Sequence, residues 1–289
     1  MKITLIHHQH TLAKPLTRDL LQQGHDIQVL SQAAETDDYW NSFSILPCDF
    51  QDSDRLKGAL KGQDVVLNLF APMSSTEDPV SQSLNVFHGA LQNDVRVIHF
   101  SSHGVYGFPL YVPINEHHPL MGKNHFTQTC IATDMLAKSF YQSFELPVVV
   151  LRLFPLFEAQ TLLHFLDQLY QDTSDTDQYF DFLRVEDANA CIRLLLDAGP
   201  YSGQTFNLAS GSLLSTRLLK QIYAPYAERL SSQQQAEHQI EQANVVSAQD
   251  LDFWNGRQGD NASLKAFVPW QVRHTTPEAL KLWLRLYFS

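Results

Sequence analysis

Three groups of residues in this 289-residue chain have side chains able to do chemistry. The first is His7, His8 and His10, in "HHQHTLA". Two histidines one or three residues apart can chelate a metal ion from a strand or a helical turn. The same cluster can instead hold a phosphate or carboxylate, or simply fill an unused pocket. The second group is Ser102, His103 and Tyr106 in "HFSSHGVYG", with Glu116, His117 and His118 in "INEHHPL". Around one cleft, such a set suffices for acid/base catalysis. Ser102 and His103 are not a dyad by adjacency alone, because successive strand residues point to opposite faces. His117 and His118 also read as surface-loop residues, and Tyr106 either stacks on a ligand or packs. The third group is Cys130. It is a nucleophile if His125 or His103 comes near, and an inert buried thiol if nothing cationic does. Arg152 binds an anion or forms a structural ion pair.

Strands and helices must place these groups. "KITLI" (2–6), "DIQVL" (26–30), "DVVLNLF" (64–70), "VRVIHFSS" (95–102) and "LPVVVLRLF" (146–154) read as buried strands. "KPLTRDLLQQG" (14–24) has helical spacing and stops on Gly24, and "DSDRLKGALKG" (52–62) is a helix entered through Asp/Ser caps. Helical patterns also cover 79–93 and 125–145. Strands alternating with helices imply βαβ units and a parallel, doubly wound sheet, whose ligand cleft lies at the carboxyl ends of the strands. Beyond 155 the pattern loosens. Helices are expected at 187–199, 213–230 and 276–288, with Asp187 and Thr275 or Thr276 as caps, and a strand at 204–209. The polar run 231–242 reads as an exposed helix or linker.

The composition narrows the function. With 44% hydrophobic residues the chain can bury a sizeable core, and its net charge of −11 without a Lys/Arg cluster argues against nucleic acid or an anionic membrane. Cys48, Cys130 and Cys191 form neither a disulfide framework nor a zinc motif. A cytoplasmic location is expected, with neither a signal sequence nor a membrane span. No metal site is expected, since the 13 histidines cluster readily by chance.

At "HFSSHGVYG" the chain becomes recognisable, and over nearly its whole length it resembles the extended short-chain dehydrogenase/reductase superfamily, NAD-dependent epimerase/dehydratase type. "GQDVVLNLFAP", "NVFHGAL", "INEHHPL", "LPVVVLRLF", "FDFLRVEDANACIRLLL" and "QTFNLASGSLLS" resemble further family segments in the family's order. The resemblance implies a Rossmann-type fold that uses NAD(P), a Ser with Tyr-x-x-x-Lys for proton transfer, and a homodimer through helices 79–93 and 125–145. It also locates the departures. The glycines of the family's GxxGxxG turn fall on His7, His10 and Ala13, and Pro15 implies a helix that starts later than in the family. The second strand ends in Ser31 and Gln32, without the acid that would take the ribose, while Asp49 keeps the acid beside the adenine. Ser102 matches the Ser, whereas the Tyr and Lys positions fall on Phe126 and Cys130. Pro155 and Glu158 stand where the family's substrate motif has Asn and Gly.

Residues 1–155, with 181–210 contributing, are expected to form the Rossmann-like core, and 156–180 and 211–289 a small C-terminal α/β lobe. His103, Tyr106 and Arg152 are expected at the substrate cleft. The expected function is a binding, scaffolding or regulatory role for a family member that has given up hydride transfer. The partner would be a small molecule or a protein. Two alternatives stay open: a non-redox acid/base enzyme built around Ser102, and an atypical NAD(P)-dependent oxidoreductase or epimerase. The cofactor is unassigned.

Overall fold

The computed structural model describes residues 1–6, 11–32, 38–41, 45–69, 78–173, 176–229 and 254–289. The expected strands form. β1 (Lys2–Ile6) is followed by α1 (Ala13–Gln22), β2 (Asp26–Ser31), α2 (Asp38–Asn41), β3 (Ile45–Pro47) and α3 (Ser53–Ala59). β4 (Val65–Asn68), α4 (Pro79–Gln92), β5 (Arg96–Ser102), α5 (His125–Phe144) and β6 (Val148–Leu153) complete the N-terminal part. A 3-10 turn, His103–Tyr106, leaves β5 directly. Next come β7 (Leu156–Phe157), α6 (Ala159–Gln171), β8 (Tyr179–Phe180), β9 (Leu183–Arg184), α7 (Val185–Asp197) and β10 (Gln204–Leu208). β11 (Leu214–Ser215), α8 (Thr216–Tyr223), α9 (Ala262–Phe267) and α10 (Pro277–Tyr287) follow.

Seven strands pair in the order β10-β6-β5-β4-β1-β2-β3, all parallel. The switch of direction falls between β1 and β4. The alternation of side chains sorts the core into two layers. Ile3, Leu5, Leu67, Ile98, Leu151 and Leu208 pack under α1 and α7. Ile6, Leu30, Val66, Val97, Val148 and Val150 pack under α3, α4 and α5. A fold buried on both faces needs near-continuous apolar strands, and "VVVL" in β6 is one.

Local chemistry sets the helix starts. The Asp52 carboxylate accepts from Arg55 N at 3.0 Å, Asp78 from Ser81 N at 3.1 Å ahead of Pro79, and Asn124 from Thr127 N at 2.8 Å. Thr276 caps α10. Pro15 is the third residue of α1, which begins at Ala13, so this first turn has one N–H fewer than usual. Asp187 does not cap its helix, against the expectation from sequence. It is buried, and its carboxylate accepts from Arg273 N (2.8 Å), His274 N (2.9 Å), His274 Nδ1 (2.9 Å) and the Thr275 hydroxyl (2.9 Å). Four donors from one tertiary segment outcompete the helix's own amides.

Residues 213–230 are not one helix but β11, α8 and a 3-10 turn, Ala227–Arg229. The stretch 231–242 lies outside the described residues. A second core joins Leu166, Leu219, Leu280 and Leu284 from α6, α8 and α10 with Phe157 of β7 and Phe182. Leu264, Val268 and Trp270 pack instead into the main core beneath α7. Among the described residues, no helix is long and apolar enough to cross a membrane.

Candidate functional site

The carboxyl ends of β4, β5, β6 and β10 carry polar residues on the face toward α5, two of them on β5. The register places Asn68 opposite His99, Ser101 opposite Arg152, and Arg152 opposite Asn207. Period-two alternation therefore lays a polar row across four neighbouring strands. Asn68 Nδ2 and His99 Nδ1 are 3.0 Å apart.

Arg152 is the hub of this row. Its Nε donates to Asp134 Oδ2 of α5 at 2.9 Å, and its Nη1 to the Tyr106 hydroxyl at 2.9 Å. The Tyr106 hydroxyl donates to Asn207 Oδ1 at 2.6 Å. Asn207 N in turn donates to Glu116 Oε1 at 2.8 Å, and Asn207 Nδ2 to Ile114 O at 2.8 Å. Arg152, Asp134, Tyr106 and Asn207 are all buried. Burial pushes the Tyr106 phenol up to about 12, although Arg152 pulls it down. Burial also raises the Asp134 carboxyl against the pull of Arg152. Arg152 thus forms an ion pair with Asp134, and the Tyr106 hydroxyl both accepts from Arg152 and donates to Asn207. Sequence reasoning missed Asn207 as the acceptor that closes this network. Its signal was a lone amide inside the apolar strand "TFNLA".

Tyr106, Glu116 and His118 come together, with the Tyr106 and His118 rings 5.6 Å apart, but Ser102 and His103 turn to other partners. The Ser102 hydroxyl accepts from Gly104 N at 3.1 Å and so caps the 3-10 turn. His103 points elsewhere: its ring nitrogen Nδ1 meets Leu153 O at 3.1 Å, and the ring lies 5.1 Å from that of Phe154. Burial, then Arg257, lowers its imidazole to about 4. His117 is exposed. His118, read from sequence as a surface residue, is buried. Its Nε2 accepts from Leu110 N at 2.9 Å and its Nδ1 lies 2.9 Å from Pro119 O.

The two residues of α5 on which the sequence resemblance lays the Tyr and Lys positions differ in burial. Phe126 is 39% exposed, while Cys130 is 1% exposed. Burial first, then Asp134, pushes the Cys130 thiol up to about 12, against the opposing pull of the Ser102 amide and the Ser101 hydroxyl. A thiol so held is not a nucleophile at neutral pH. His125 is exposed and gives it no base.

On the β1–β3 side, Ala13 is fully buried against the sheet, where a small residue lets α1 approach. Ser31 is buried and Gln32 exposed. Asp49 is exposed, and its Oδ1 accepts from Gln51 N at 2.9 Å in the turn before α3. His7 and His10 lie outside the described residues, as does 70–77 beyond β4. Among the described residues, no three His, Cys, Asp or Glu side chains gather as a metal site.

The arrangement has clear relatives among solved structures. UDP-glucose 4-epimerase from Thermotoga maritima, solved with UDP-glucose, is 16% identical with a TM-score of 0.77, over 99% of this chain and 98% of that one. UDP-N-acetylglucosamine 4-epimerase from Bacillus cereus is 15% identical with a TM-score of 0.76, over 99% of each chain. Thermus thermophilus UDP-glucose 4-epimerase, solved with NAD, is 19% identical with a TM-score of 0.74, over 100% of this chain and 99% of that one. At these identities the likeness establishes the fold. No curated protein matches the chain. The profile of the "NAD dependent epimerase/dehydratase family" matches residues 12–209, more than half of the sequence. The chain belongs to the NAD-dependent epimerase/dehydratase family.

Proposed function

We propose that this family member no longer transfers hydride and works as a binding or regulatory protein that keeps the family's fold. The observation that carries this reading is the pair Phe126 and Cys130. A phenyl ring cannot exchange a proton, and a buried neutral thiol supplies no fixed cation for a ribose or a phenolate. No neighbour replaces them among the described residues. Tyr106, four residues after Ser102, is pushed up to about 12 and is bonded on both sides. The described residues therefore do not fit the nicotinamide end of the cofactor. Ser31 and Gln32 likewise offer no carboxylate to an adenosine ribose.

Support for a homodimer comes from α5, where Met135 is 64% exposed on a helix packed against α4. Three buried free cysteines suit a reducing cytoplasm. Small molecules and proteins remain the partner classes, and the charge of −11 argues against nucleic acid and anionic membranes.

The test is thermal denaturation with NAD(H) and NADP(H). A bound dinucleotide at 100 times its Kd would add about 2.7 kcal/mol and raise the melting temperature by several degrees. The expected outcome is no shift up to millimolar concentration. A saturable shift together with reduction of NAD(P)+ by any sugar nucleotide would sink the reading.

A further inference from the structure

A cavity of about 540 Å³ lies between α1, α7 and the segment 269–274. It is on the face of the sheet opposite α4 and α5, away from the polar row at the strand ends. Asp187 holds its wall in place. The buried carboxylate accepts from Arg273 N at 2.8 Å, His274 N at 2.9 Å and His274 Nδ1 at 2.9 Å, and Asp187 O accepts from Trp270 Nε1 at 2.9 Å. The segment 270–274 is thereby tied to α7 at both ends, so the cavity is built before any ligand arrives.

The wall is acidic. Asp19, Glu186, Asp187 and Asp197 stand in it against Arg193 and Arg273. Arg193 Nη1 is spent on Asp19 Oδ2 at 2.6 Å. Arg184, from outside the wall, pairs with Glu186, whose side chain stays 40% exposed. Even with Arg184 counted, four carboxylates meet three guanidinium groups. Arg273 and Asp197 are both exposed.

The kind of ligand follows from one atom. Asn189 lines the cavity at 6% exposed, yet its Oδ1 has no hydrogen-bond partner among the described residues. An amide oxygen only accepts, so a donor must complete it. Glu186 precedes Asn189 by three residues and is its neighbour on α7. Water would satisfy the oxygen and leave the acidic field unanswered, whereas a cationic N–H donor answers both. Ala190 and Leu194 line the same cavity. They form an apolar track between Asn189 and Asp197, which are eight residues apart, about 12 Å along the helix axis.

The geometry points to a second ligand site here, for a linear alkyl polyamine. One primary ammonium donates to Asn189 Oδ1 beside Glu186, the methylene stem lies along Ala190 and Leu194, and a second ammonium reaches Asp197. An ammonium has three donors and no acceptor, which suits a wall whose unmatched atom is an acceptor. This site is independent of the cleft chemistry proposed above.

The experiment is calorimetric titration of the full chain with spermidine at fixed ionic strength. Tetramethylammonium, a cation without N–H donors, is the control. The expected result is one saturable spermidine site that excess tetramethylammonium does not displace. It should be about tenfold weaker in Asn189→Leu, which removes the acceptor at nearly constant volume. It should be about threefold weaker in Asp197→Asn, an exposed position. If Asn189→Leu does not fold, as read by circular dichroism, Asp197→Asn decides alone. The inference is overturned by the lack of a saturable site at millimolar spermidine, by unchanged affinity in either folded variant, or by equal competition from tetramethylammonium, which would mean diffuse charge screening only.

Discussion

His103 shows how a residue that looks catalytic in sequence becomes a stability element in the fold. Its imidazole is lowered from 6.5 to about 4 by burial and Arg257, so the folded chain keeps it neutral where the unfolded chain protonates it. Stability is therefore lost as pH falls from about 6.5 through 4, by about 3 kcal/mol in full. Asp181 acts in the opposite sense. Burial raises it to about 6, so it favours the fold as pH falls. The quantity to measure is thus the difference in urea-unfolding free energy between parent and His103→Gln, which should change by about 3 kcal/mol between pH 7 and pH 4. A difference that stays flat with pH would refute the assignment. Tyr106→Phe should cost about 1–3 kcal/mol in the same assay, because it strips one donor from Asn207 and one acceptor from Arg152 inside a closed network. The types of these residues were legible in sequence, but their directions were not. Ser102, His103 and Tyr106 stand within five positions, yet one caps a turn, one packs on Phe154 and one reaches Asn207, 101 residues away. Side-chain direction at the end of a strand is a tertiary property.

At the scale of elements, the long ones follow from local rules and the short ones do not. α5 begins where Asn124 caps it and ends at Glu145 with φ 58°, so both boundaries are local. Asn124→Ala should therefore cost about 1 kcal/mol without altering the sheet, read by urea denaturation with an unchanged m-value. An unaffected midpoint would mean that packing, not capping, sets the start of α5. β7, β8, β9 and β11 are two residues long and exist only because a partner from another part of the chain lies alongside. No periodicity can announce two residues. α6 is the intermediate case: its stripe of Leu162, Leu166 and Leu169 is periodic, but it stands between such fragments. The bend at Gly107 shows an element junction that admits only glycine. Its φ is 60°, and a Cβ there would stand 2.3 Å from Met121 O.

The whole molecule is a seven-stranded parallel sheet flanked by helices, the fold of the family to which the chain belongs. If the exposed side of α5 is a dimer seam, Met135→Glu should convert a dimer to a monomer in light scattering at constant secondary structure. A parent that is already monomeric removes the seam. The strand order carries a further consequence. β1 comes first in sequence but lies inside the sheet, with β2 and β3 on one flank and β4, β5, β6 and β10 on the other. On a ribosome the sheet therefore grows from the inside outward, first toward β3 and then back across β1. The inner edge of β1 waits, unpaired, until residues 65–68 emerge. The Tyr106–Asn207 bond joins the last strand of the seven-stranded sheet to a turn made about a hundred residues earlier, so the polar row closes only when β10 docks. Any nascent chain stalled before residue 204 would leave the Tyr106 hydroxyl without its acceptor on β10.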